Sequence, residues 1–180
     1  MTIPQEPVAD RQVSRRIARF RRAEDGATAI EFAIVAMPFF FLLGVIMEIG
    51  IMLFTEYSIQ NAVEQAGRML RVAGPGTMTG DEFREMICDQ GALVRDCETR
   101  LGLALESAGN FQGLDVPEIS SIDPGSVLSF SPGAPGDAVV IVATHDWEFI
   151  FPFMRPLANV EGIDARRLHG IAAFRTELIE

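Results

Sequence analysis

The chain has 180 residues, 48% of them hydrophobic, and a formal net charge of −10. That length points to one compact domain plus accessory segments. The charge is unevenly placed: residues 1–22 hold six arginines against Glu6 and Asp10, and the rest holds nine arginines against twenty-three acids. This asymmetry excludes reading the bulk composition as that of one uniform globular body.

Taken in chain order, residues 1–26 form an Arg-rich leader. Thr2 to Asp10 is polar and broken by Pro4 and Pro7. Arg11 to Arg22 has the pattern of a short amphipathic helix, with Val13, Ile17 and Phe20 on one face, suited to an anionic lipid surface.

From Phe32 to Met47 sixteen residues carry no charge, and Ala29, Ile30 and Ile49 to Phe54 extend the run beyond Glu31 and Glu48. About 20 apolar residues cross a bilayer core. The stretch FAIVAMPFFFLLGVIM is apolar on every face, whereas a soluble helix keeps a polar stripe. Arginine beside a span stays cytoplasmic. The expected topology is therefore a single pass, with the N-terminus in the cytoplasm and the C-terminal domain outside it. The positive-inside rule also accounts for the basic arm without nucleic acid, and Phe20 alone does not supply interleaved stacking aromatics.

The helical pattern continues to about Val72. Ile59, Val63, Ala66 and Leu70 recur at amphipathic spacing, with Gln60, Glu64, Gln65 and Arg68 on the other face. Residues 27–73 thus read as one transmembrane and extended helix, ending at Gly74-Pro75-Gly76. Pro38 inside it cannot donate to the Ile34 carbonyl, so a kink is expected there.

Residues 74–180 read as a small α+β domain: an antiparallel sheet with a helix packed on it. Thr79-x-x-Glu82 has the form of a capping box, opening a helix from Asp81 to about Leu93. Leu101, Leu103 and Leu105 alternate as in a strand. Residues 108–136 are rich in Gly and Pro and read as a loop with one short strand at Val127–Phe130. Ala138 to Ala143 is the clearest strand, apolar enough for the centre of a sheet. Trp147 to Phe153 is aromatic and bounded by proline. Arg166 to Thr176 reads as a last strand with Leu168, Gly170, Ala172 and Phe174 on one face. Cys88 and Cys97, both outside the cytoplasm, form the expected disulfide.

The sharpest signal is Gly26-Ala-Thr-Ala-Ile-Glu31-Phe32, where the charged leader meets the apolar run. It looks like the cleavage site of a type IV prepilin, cut after Gly26 so that Ala27 becomes the N-terminus and Glu31 the fifth residue. An acid inside a span is costly and needs a partner. In a helix bundle the partner would be the free amine of a neighbouring subunit, and the pair would set axial register. The Gly26–Glu31 spacing alone is weak, since both Gly and Glu are common; its place at the boundary is what carries it. An ordinary signal peptide fits worse, because the apolar run is long and no small-x-small site follows it. Ala29, Ala33 and Ala36 put small residues on neighbouring turns, allowing close helix approach, although lipid-facing filler explains them as well.

Gly26 with Ala29 and Glu31-Phe32-Ala33, Pro38, Glu48, and Asn61-Ala62 leading to Ala66-Gly67-Arg68 together resemble the TadE-like family of the tight-adherence pilus machinery. The family commonly has Ala-Arg where this chain has Gly67-Arg68. Farther on, the cysteine pair, Gly136-Asp137-x-Val139-Val140 and the closing Ala172-x-Phe174-Arg175-x-Glu177 are also similar, while the ending departs from the family's more usual Asn-Glu-Pro. The resemblance implies a pseudopilin or minor pilin assembling Flp-type adhesive pili. Its partners would be other pilins, the Tad inner-membrane platform and the prepilin peptidase, with no cofactor and no catalysis.

Two other readings compete. One is a non-processed, single-pass envelope protein accessory to a secretion system; the other is a membrane-anchored enzyme. For the enzyme the sequence offers only His145-Asp146, adjacent in the chain rather than arranged as nucleophile, base and orienter. Metal binding lacks ligands, since the two histidines, His145 and His169, lie far from the cysteines.

Overall fold

A computed structural model describes residues 25–73, 78–91, 94 and 96–177. The Arg-rich leader and its proposed amphipathic helix lie outside the described residues, as does Gly74-Pro75-Gly76. The chain divides into two compact units at Gly44 and Val45.

The first unit contributes the start of helix α1, Asp25–Ala73, with Pro38 inside it. From Phe32 to Leu43 its apolar side chains face outward, with only Ala36 half-buried. α1 is long and apolar enough to cross a membrane, and its most apolar window makes no buried contact. A surface this apolar is unfavourable in water and suits hydrocarbon.

The second unit holds the rest of α1, helices α2 (Gly80–Gln90) and α3 (Cys97–Arg100), and four strands: β1 (Gly102–Ala108), β2 (Val127–Phe130), β3 (Ala138–Glu148) and β4 (Ala165–Arg175). The expected α+β class holds. Ile59, Val63, Ala66 and Leu70 of α1 are all buried, in one core with Leu103, Leu105, Ile141 and Phe174. Gly170 makes this approach possible: a Cβ there would lie 3.0 Å from Ile59 Cγ2 and 3.1 Å from the Gln60 backbone. Gly170→Val would drive the helix off the strand. Overpacking of this kind costs about 1–3 kcal/mol, and thermal unfolding in detergent should show the loss.

The sheet order is β2-β1-β3-β4. β1–β3 and β3–β4 are antiparallel as expected, but β2 runs parallel to β1, so the sheet is mixed. The cause is the connection of residues 109–126. A parallel pair needs a crossover rather than a hairpin, and this segment crosses one face of the sheet. There Ile122, with half-buried Leu114 and Ile119, covers Ala104, Val140 and Val142. β3 is therefore buried on both faces, which explains its unbroken apolar run.

The capping box forms as expected: the Glu82 N–H donates to Thr79 Oγ1 at 3.3 Å, and the Thr79 N–H donates to Glu82 Oε2 at 2.7 Å. These bonds hold the Glu82 carboxyl below its ordinary pKa. α2 ends at Gln90, short of the expected Leu93, because the Gly91 N–H turns back to the carbonyls of Ile87 and Cys88. β3 in turn runs past the expected Ala143 to Glu148, kept in register by Asp146 opposite Arg167. The predicted face of β4 is the inward one, with Leu168, Gly170 and Phe174 buried and Ala172 half-buried. Its outer edge is blunted by α1, because the Gln60 amide brackets Ile171: Nε2 donates to the carbonyl at 3.0 Å and Oε1 accepts from the N–H at 2.9 Å. A side chain thus takes the place of a neighbouring strand at the free edge.

Candidate functional site

Gly26, Ala27 and Glu31 lie in the first turns of α1, and all three are exposed. Glycine in a helix interior costs about 1 kcal/mol against alanine. At Gly26 no packing demands it, since a Cβ there would meet nothing within 4 Å. Ala29 and Ala33 are exposed on the same helix, and Ala36 is half-buried.

At the other end of the charge-free run the structure shows a feature that the sequence reading missed. Glu48 is 1% exposed. Its carboxylate accepts two consecutive backbone N–H groups from the segment after β3: Ile150 to Oε1 at 2.5 Å and Phe151 to Oε2 at 3.3 Å. A buried carboxylate is tolerable only when such bonds replace its water, and bonds to an ionised acceptor are the stronger kind. Glu48 therefore ties the domain to α1 where the charge-free run ends. The available sequence signal was a lone acid between two apolar stretches, which calls for a partner.

At Gly67 a Cβ would sit 2.9 Å from Phe174 Cε1. In this chain Phe174 fills the space that an alanine at position 67 would use. The Arg71 guanidinium covers the same ring at 5.4 Å.

Cys88 and Cys97 are bonded, with their Cα atoms 5.6 Å apart. The bridge joins the end of α2 to the start of α3. Closing so short a loop stabilises by roughly 2–3 kcal/mol. Replacing both cysteines by serine should lower the unfolding midpoint accordingly, and free-thiol labelling of the unreduced wild type should find no reactive cysteine.

His145 and Asp146 do not form a dyad. Both lie within β3, and consecutive strand residues point to opposite faces. His145 is buried, and its Nδ1 has no partner among the described residues. Burial pushes its pKa down, with the Arg100 charge acting in the same direction. Asp146 is held by Arg167, whose Nε donates to Oδ1 at 2.7 Å and Nη2 to Oδ2 at 2.9 Å. Arg167 Nη1 donates onward to the carbonyls of Ile119 and Ser120. The pair fastens the crossover segment to the sheet. Beside it lies an open cleft of about 780 Å³, bordered by Glu56, Asp123, Arg166 and His169. Among the described residues no group of three or more His, Cys, Asp and Glu is placed to hold a metal ion.

Comparison with known proteins gives one result. Residues 26–68 match the family model described as TadE-like protein. The match begins at Gly26, takes in Glu31, Pro38 and Glu48, and ends at Arg68 on the part of α1 that packs against the sheet. The cysteine pair and the closing strand lie outside it. No curated protein and no solved structure matches the chain.

Proposed function

We propose, for a chain whose residues 26–68 are TadE-like, that it is a membrane-anchored pseudopilin or minor pilin taking part in assembly of Tad (Flp-type) adhesive pili. The leader lies in the cytoplasm and α1 crosses the inner membrane once. The sheet domain stands in the periplasm, where its disulfide is stable. Prepilin peptidase cuts between Gly26 and Ala27. The new amine of one subunit then pairs with Glu31 of a neighbour, so that two charges costly in lipid become one neutral pair. The protein performs no catalysis. It acts by helix packing with other pilins and with the assembly platform, and nucleic acid has no part in it.

The observation that carries this reading is the position of the match. It covers the helix that carries the processing motif at one end and the domain's packing stripe at the other. A non-processed anchor would need the second feature but not the first. Two readouts in one strain test the proposal. Periplasmic reporters fused after residue 75 should be active, and deletion of the chain should remove surface pili that the wild type restores. Cytoplasmic reporter activity, or full piliation in the deletion strain, contradicts it.

A further inference from the structure

The segment between β3 and the 3-10 turn Pro152–Leu157 exposes large apolar side chains: Ile150 is 64% exposed, Phe153 39% and Leu157 48%. Across residues 149–160 the only charge is Arg155. Exposed apolar clusters on one surface mark an interaction site.

We infer that residues 149–157 form a second membrane contact, lying in the outer boundary of the bilayer that α1 spans. This rests on the reading of α1 as a membrane span. The decisive link is Glu48. It is the first charged residue after the charge-free run, so it marks where the span would meet the headgroups. Its carboxylate holds the N–H groups of Ile150 and Phe151, which places the segment at that depth. The lipid-facing character of α1 also continues past Glu48, since Phe54 is 59% and Tyr57 63% exposed.

The backbone of the segment suits a low-water setting. The Met154 N–H donates to the Phe151 carbonyl and the Ala158 N–H to the Arg155 carbonyl, both at 2.9 Å. Together with the two bonds to Glu48, these leave few backbone donors needing water. Lipid is favoured over a second copy of the chain because Glu48, which holds the segment, is the first charge after the charge-free run.

The test uses the full-length chain in vesicles of phosphatidylethanolamine and phosphatidylglycerol. The photo-crosslinker benzoylphenylalanine replaces Ile150, Phe153, Phe40 or Leu128, one at a time. Phe40 reports the span, and Leu128 reports an exposed apolar site on β2. Irradiation should add the mass of one phospholipid at Phe40, Ile150 and Phe153, but not at Leu128. Lipid adducts at Phe40 without any at Ile150 and Phe153 overturn this inference and leave the span intact. Protein dimers at Ile150 or Phe153 assign the patch to a second copy and overturn it too, as does an equal lipid yield at Leu128. No adduct at Phe40 removes the span reading and this inference with it.

Discussion

Glu48→Leu is expected to destabilise the sheet domain strongly. The side chain is nearly the right volume and would suit the apolar run, so insertion should be normal. The carboxylate that accepts from Ile150 and Phe151 is lost, however, and two N–H groups are left without their partner. Each buried unsatisfied group costs about 1–3 kcal/mol. The expected loss is therefore roughly 2–6 kcal/mol, or a fall of at least about 6 °C in unfolding midpoint at roughly 3–5 °C per kcal/mol for a domain this size. Glu48→Gln keeps one carbonyl acceptor but turns an amide donor toward the second N–H, so it should fall between wild type and leucine. Protease should cut residues 149–157 of Glu48→Leu well below its unfolding midpoint. An unchanged midpoint and an unchanged cleavage pattern would show that Glu48 does not anchor the segment.

Gly26→Val is expected to abolish processing. A glycine lets the chain enter a narrow peptidase site in extended form, and the folded helix has no need of it at this position, where a Cβ would meet nothing within 4 Å. The variant should therefore insert and fold normally yet keep its leader. Glu31→Ala should behave in the opposite way. In the proposed assembly Glu31 lies beyond the cut and pairs with the amine that cleavage creates, so the variant should reach mature length and fail in pilus assembly. Mass spectrometry of both variants beside counts of surface pili separates the two roles. Normal piliation with Glu31→Ala removes the register role. A Gly26→Val protein of mature length removes the glycine requirement.

Much of the fold was legible because local pattern determines it. The stripe Ile59, Val63, Ala66 and Leu70 follows helical pitch and is buried as that pitch requires. Thr79 and Glu82 form their box from side chains three residues apart. The inward face of β4 follows from alternation. What escaped the sequence depends on partners distant along the chain. Glu48 is satisfied by backbone groups 102 and 103 residues away, and no side-chain pattern announces a backbone N–H. His145-Asp146 lies beyond the strand read at Ala138 to Ala143, yet Arg167 across the ladder keeps the strand going. The parallel setting of β2 followed from a Gly- and Pro-rich segment whose few apolar residues, Leu114, Ile119 and Ile122, turned out to cover a sheet face. The cysteine pair was readable directly, while the tie between helix and domain was not.

The mass of the mature N-terminus tests most directly whether this chain is a processed pilin-like subunit. The protein should be purified from membranes of a strain with active prepilin peptidase and its N-terminal peptide measured. The account predicts a chain beginning at Ala27, with the Arg-rich leader gone. A chain beginning at Met1, with the leader intact in that strain, would contradict it.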